Sequence, residues 1–125
     1  MGVSPASLLT NVELDPIVQH VNPSAEQRPA VTTRGVDVLV RAGAGSGKTR
    51  TLVARYLSLV AEDNPLRAVV AITFTDKAAL EMRSRLRSAI RDYLQEPQLD
   101  TATRTRWEGI ARELDSARIG TIHAL

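Results

Sequence analysis

The feature that most narrows the fold is a glycine-rich turn set between two regular patterns. Val36-Asp37-Val38-Leu39-Val40-Arg41 is a short, largely β-branched run that reads as a strand. Ala42-Gly43-Ala44-Gly45-Ser46-Gly47-Lys48-Thr49 follows it, and Arg50-Thr51-Leu52-Val53-Ala54-Arg55-Tyr56-Leu57 then takes up helical periodicity. A chain that turns sharply from strand to helix needs the positive-φ freedom of glycine. Gly43, Gly45 and Gly47, alternating with the small Ala44 and Ser46, let successive N–H groups point inward as an anion-binding nest. The helix that follows adds free N-terminal donors and the positive end of its dipole. In a phosphate-binding loop of this kind Lys48 reaches the β- and γ-phosphates of a nucleotide, and Thr49 offers its hydroxyl to magnesium. Ala42 stands where the pattern usually begins with Gly, a change that keeps the residue small. The competing reading, a flexible turn with a chance Lys-Thr, fits the strand and helix flanks poorly.

The length of 125 residues bounds the chain to one domain at most. Hydrophobic residues make up 43% of it, enough for a core. The net charge of +2 is too small to argue for nucleic acid by itself. The basic residues are 14 arginines against two lysines, Lys48 and Lys77. Arginine forks suit phosphates and carboxylates equally, so this bias does not choose a partner. The absence of cysteine excludes disulfides and thiolate metal sites and fits a reducing, cytoplasmic setting. No apolar run approaches the ~18 residues of a membrane span, and no secretory signal is apparent.

Residues 1–21, with Pro5 and Pro16 and no sustained periodicity, read as a loose leader holding at most a short turn of helix. Asn22 and Pro23 suit a helix opening, as cap and first helical residue, with Pro29 bending or ending that helix. The helix after the turn is expected over 48–62, with Leu52, Tyr56, Leu59 and Val60 on its inner face. The apolar run 68–74 reads as a strand buried on both faces of a parallel sheet, closing a βαβ unit. Thr75 or Asp76 caps a helix reaching about Gln95, with Ala79, Met82, Leu86, Ile90 and Tyr93 or Leu94 as its stripe. Arg83, Arg85, Arg87 and Arg91 read as its solvated faces, with Glu81 and Arg85 paired at i,i+4. A helix over 101–114, with Trp107, Ile110 and Leu114 inside, leads to a third strand over 117–122. The fold class is therefore α/β, with a parallel sheet of about three strands.

Three further segments carry a resemblance. Gln27-Arg28 lies about twenty residues before Lys48. Ala71-Ile72-Thr73-Phe74-Thr75-Asp76-Lys77-Ala78-Ala79-Leu80-Glu81-Met82 precedes a long gap, and Ile119-Gly120-Thr121-Ile122-His123 follows it. In this order, with the phosphate loop, they resemble the glutamine motif and motifs I, Ia and Ic of superfamily 1A DNA helicases, the UvrD/Rep/PcrA and RecB/AddA group. The resemblance spans 22–125, and the length of the gap from Met82 to Gly120 is more like the RecB/AddA branch.

The resemblance implies a partial RecA-like P-loop NTPase domain that uses ATP and Mg2+ to move 3′ to 5′ on DNA, as part of repair or recombination. It implies that Gln27 reads the adenine edge, that Ala42 to Thr49 hold the phosphates, and that Arg50 lies near the base. It implies DNA contacts, single-stranded or duplex, from Thr73, Phe74, Thr75, Lys77, Thr121 and His123. It also implies a helicase–nuclease partner subunit, no membrane role, and a cytoplasmic, nucleoid-associated place. Taken singly, each residue also has a plainer reading: Gln27 and Arg50 as solvated helix residues, Phe74 as core, His123 as structural. Asp76 departs from the family's Asn and cannot donate a hydrogen bond when ionised. The family's Asp-Glu pair after an apolar strand is absent from the 125 residues, as is any assignable arginine finger. The chain therefore reads as the amino-terminal piece of a larger enzyme, not a competent helicase alone. Two alternatives remain at this point: another P-loop NTPase or kinase, which leaves the three further segments unexplained, or a non-functional truncated remnant.

Overall fold

A computed structural model describes residues 14–36 and 47–121, which divide into two compact units, one ending at Ala61 and the other beginning at Glu62. Three helices make up the described part of the first unit: α1 (Pro16–Val21), α2 (Arg28–Thr32) and α3 (Lys48–Ala61). The second runs from a 3₁₀ turn (Leu66–Ala68) through β1 (Val70–Thr73), α4 (Asp76–Leu94), α5 (Thr101–Glu113) and a second 3₁₀ turn (Leu114–Ser116) to β2 (Arg118–Thr121). The strand expected over 36–41 lies, from Asp37 onward, outside the described residues.

In the first unit α1 and α2 both pack on α3. The described end of the expected leader holds a short helix: Asp15 accepts from the Ile17 N–H to start α1, and Ile17 and Val18 are fully buried. Asn22 does not open the next helix. It takes a left-handed conformation (φ 60°) and closes α1, its N–H donating to the Val18 carbonyl. The opening role falls to Ser24, whose hydroxyl accepts from the Gln27 N–H at 3.3 Å while the Gln27 side-chain oxygen accepts from the Ser24 N–H at 2.9 Å. This reciprocal pair is the capping-box arrangement. Pro29 sits in the first turn of α2, where its missing N–H costs nothing, so it helps start the helix. Arg55 from α3 donates to the Ala30 and Thr33 carbonyls, and Arg34 to those of Val31 and Thr33, which satisfies the α2 C-terminus. On α3 the buried residues are Thr51, Val53, Ala54, Tyr56, Leu57, Ser58 and Val60. Leu52, expected inside, is 47% exposed.

In the second unit β1 and β2 pair in parallel, with Val70 opposite Arg118 and Thr73 opposite Thr121. The crossover between them carries α4 and α5, and α4 packs against both strands. Its buried stripe is Ala79, Met82, Leu86, Ile90 and Tyr93, as the 3.6-residue period requires. Tyr93 meets the edge of the buried Trp107 of α5 at 6.2 Å between centroids. Thr75 caps α4, its hydroxyl accepting from the Ala78 N–H at 3.0 Å, so Asp76 occupies the first turn and complements the dipole. Asp100 caps α5, and its hydrogen bonds from the Thr103 side chain and N–H hold its carboxyl below the ordinary value. β1 is not covered on both faces: Val70 and Ile72 are exposed while Ala71 and Thr73 are half-buried, an alternation of period two.

The arginines of α4 do not all face solvent. Glu81 and Arg85 do form an exposed pair at 3.1 Å. Arg83, however, donates to three carbonyls that lead into β2, those of Leu114 (2.6 Å), Ala117 (3.2 Å) and Ile119 (3.0 Å). The Leu114 and Ala117 carbonyls also accept backbone N–H groups, and the Arg83 fork adds a charged donor to each of the three. Replacing Arg83 with Met is expected to cost about 2–3 kcal/mol, because three charge-assisted bonds are lost together. Replacing Arg85 with Ala should cost less than about 0.5 kcal/mol. Urea unfolding of the two variants reads the contrast, and equal costs would contradict the three-carbonyl role.

Candidate nucleotide and nucleic-acid sites

Two sets of residues singled out by the sequence are brought together, one in each unit. The first lies at the N-terminus of α3. Gly47 enters the helix at φ +57°, a left-handed backbone that only glycine adopts freely. Its carbonyl accepts from the Thr51 N–H at 3.0 Å, the first rung of the helical ladder. Lys48, Thr49 and Arg50 therefore have N–H groups with no partner inside the helix. Lys48 and Arg50 are exposed and Thr49 is half-buried. Amides without a partner inside the helix, an exposed ammonium and a hydroxyl are the donor types of an anion site. Ala42, Gly43, Ala44, Gly45 and Ser46 lie outside the described residues.

Gln27 reaches this helix start. Its side-chain nitrogen donates to the Gly47 carbonyl at 3.2 Å across twenty residues of sequence. The Thr51 hydroxyl donates to the same oxygen at 3.1 Å. A Cβ on residue 47 would stand 2.6 Å from the Gln27 nitrogen, so the backbone conformation favours glycine there and any other residue would displace the Gln27 amide. Gln27 and Gly47, which the sequence expected in one site, are joined by a bond that helical periodicity does not reveal. The Ser24-x-x-Gln27 spacing was the available clue, since a capping box fixes where the Gln27 amide points.

The second set lies at the carboxyl ends of the parallel strands, where open α/β sheets bind ligands. The register puts Thr73 beside Thr121, joining two segments far apart in sequence. The Thr73 hydroxyl lies 2.9 Å from the Thr75 carbonyl and 3.5 Å from that of Gly120, so it ties the end of β1 to its own turn and to β2. Phe74 is fully exposed at 104% and fills no core among the described residues. Thr75 and Lys77 are exposed beside it, though the Thr75 oxygen also caps α4. His123 lies outside the described residues. Among the described residues no cluster of three or more His, Asp or Glu could hold a metal ion, and no helix is long and apolar enough to cross a membrane.

A parallel α/β sheet together with a glycine-entered helix that begins Lys-Thr is the architecture of a P-loop NTPase domain. Comparison with known proteins narrows the class. Residues 23–125 match the model of the UvrD/REP helicase N-terminal domain, and the chain belongs to that family. Among curated relatives it is 38% identical over 102 residues to an ATP-dependent helicase/nuclease subunit of Limosilactobacillus reuteri, covering 82% of this chain and 7% of that protein. It is 39% identical over 98 residues to the protein of the same name from Latilactobacillus sakei (78% and 11%), and 48% identical over 77 residues to that from Oceanobacillus iheyensis (59% and 6%). The chain thus spans about a tenth or less of the length of these relatives. Their helicase/nuclease name agrees with the longer-gap branch to which the Met82–Gly120 spacing points.

Replacing Gly47 with Ala tests the helix entry. A left-handed alanine costs about 1–2 kcal/mol, and its methyl would push the Gln27 amide away. The expected result is a lower thermal midpoint and weaker binding of nucleotide. A variant with wild-type stability and binding would contradict the observed entry geometry.

Proposed function

We propose that this chain is the amino-terminal ATP-binding part of an ATP-dependent 3′ to 5′ DNA helicase of the helicase–nuclease type, acting in repair or recombination. The observation that supports it most is the meeting of Gln27 with Gly47, which brings a base-reading amide to the edge of a phosphate site. The donor set at α3 fits a magnesium nucleotide: unpaired amides and the Lys48 ammonium for phosphate oxygens, and the Thr49 hydroxyl for Mg2+. When bound, the metal neutralises charge on the β- and γ-phosphates. By the family resemblance, Ala42 to Ser46 would also hold the phosphates and Arg50 would approach the base. The Gln27 amide keeps a second hydrogen and a second lone pair beyond those already engaged, enough to read the adjoining donor and acceptor of adenine.

DNA meets the ends of β1 and β2. Phe74, with no core to fill, stacks on a base, and Thr75, Lys77, Thr121 and His123 contact the backbone. Thr73 holds the strand ends in place. Asp76, one residue along, carries charge of the wrong sign for phosphate and serves the helix dipole. The same reading brings a helicase–nuclease partner subunit, together with a nucleoid-associated, cytoplasmic place. The 125 residues alone bind nucleotide weakly and do not unwind DNA, because they hold no Asp-Glu pair after an apolar strand to position metal and water.

Two variants of the full-length protein test these assignments. Lys48→Ala should lower DNA-stimulated ATP hydrolysis by at least about a hundredfold, the scale of losing one charge-stabilising donor. Phe74→Ala should weaken single-stranded DNA binding by about 1–3 kcal/mol, read by fluorescence anisotropy, with ATP affinity in the absence of DNA unchanged. Phosphoryl transfer to a small acceptor without DNA stimulation would instead favour a kinase.

A further inference from the structure

We propose that Gln27 is a positioning residue of the phosphate site: its amide fixes the plane of the Gly47–Lys48 peptide and so aims the Lys48 N–H at the phosphate chain. The proposal rests on reading the α3 N-terminus as that site, and it gives Gln27 a role that needs no base.

A trans peptide is planar, with its carbonyl and its N–H pointing in opposite directions. Whatever holds the Gly47 oxygen therefore sets the direction of the Lys48 N–H. Three donors hold it: the Thr51 N–H, the Thr51 hydroxyl and the Gln27 side-chain nitrogen. The two from Thr51 belong to the helix's own first turn and move with it. Among the described residues Gln27 is the one donor from outside α3, and it ties this peptide to the start of α2.

Gln27 is suited to that task because it is itself held at both ends. Its side-chain oxygen accepts from the Ser24 N–H, and its own N–H donates to the Ser24 hydroxyl and carbonyl. The partners also fix which way the amide faces: only the oxygen can receive an N–H, and only the nitrogen can serve a carbonyl. The result is a continuous chain, Ser24 N–H to Gln27 amide to Gly47 carbonyl, in which each bond polarises the next. Glycine at 47 leaves the room for it, since any Cβ there would collide with the Gln27 nitrogen.

A residue that only reads a base contributes nothing to a ligand without one. Inorganic tripolyphosphate with magnesium is therefore the probe, titrated calorimetrically into the intact protein. Gln27→Met removes both side-chain bonds at similar volume. Gln27→Glu keeps an oxygen for the Ser24 N–H, and thus the opening of α2, but cannot donate to Gly47. Both should weaken tripolyphosphate about three- to tenfold, the value of one hydrogen bond. The loss for the Glu variant should persist at high salt, where its added charge is screened. If either variant retains the wild-type melting temperature and wild-type tripolyphosphate affinity while ATP affinity falls, Gln27 reads the base alone and the proposal is overturned. If Lys48→Ala leaves tripolyphosphate affinity unchanged, the phosphate site is elsewhere and both readings fall together.

Discussion

The left-handed turn at Gly47 is the constraint on which the proposed nucleotide site depends. It lets the chain enter α3 with its carbonyl facing inward to three donors and the amides of Lys48, Thr49 and Arg50 facing away from the helical ladder. An ordinary residue there would face both the penalty of the left-handed region and a collision with the Gln27 amide. The turn, the helix start and the glutamine form one hydrogen-bonded piece. The free amides, the ammonium and the hydroxyl that a phosphate chain needs are set by that piece, not by loop composition alone.

The second unit solves a different problem with the same economy. Parallel pairing of β1 and β2 brings Thr73 beside Thr121 at the carboxyl ends, and the Thr73 hydroxyl fastens the turn that presents Phe74. Arg83 anchors the other end of β2 by holding three carbonyls from α4. An exposed phenylalanine is hard to explain by folding and easy to explain by a stacking ligand.

Patterns local in sequence were legible. The stripe from Ala79 to Tyr93, the Glu81–Arg85 pair, the buried Trp107 and Leu114, and the helix beginning at Lys48 all follow from a 3.6-residue period or a fixed spacing. Features decided by tertiary partners were not. Asn22 and Ser24 are equally good caps by residue type, and only the left-handed φ of Asn22 assigns them. The destinations of Arg34, Arg55, Arg83 and Arg104 are backbone carbonyls on other elements, which no periodicity reveals. The arginine bias, neutral as a clue to partners, is explained in part by this stapling: a planar fork of five donors can close a helix end or a strand entry alone. The continuous apolar run of β1 suggested two buried faces, yet Val70 and Ile72 are exposed, because a short run cannot tell a core strand from one packed on a single side. At the start of α3 the Lys-Thr pair and the helix were legible, while the bond from Gln27 to Gly47 required the fold.

The central claim is that a nucleotide's phosphate chain sits on the amides and ammonium at the start of α3. A crystal structure of the full-length protein with magnesium and a non-hydrolysable ATP analogue tests it most directly. The account predicts β- or γ-phosphate oxygens within about 2.7–3.2 Å of both the Lys48 backbone nitrogen and its ammonium, with the Gln27–Gly47 bond intact. A nucleotide bound with its phosphates away from the Lys48 amide would contradict it.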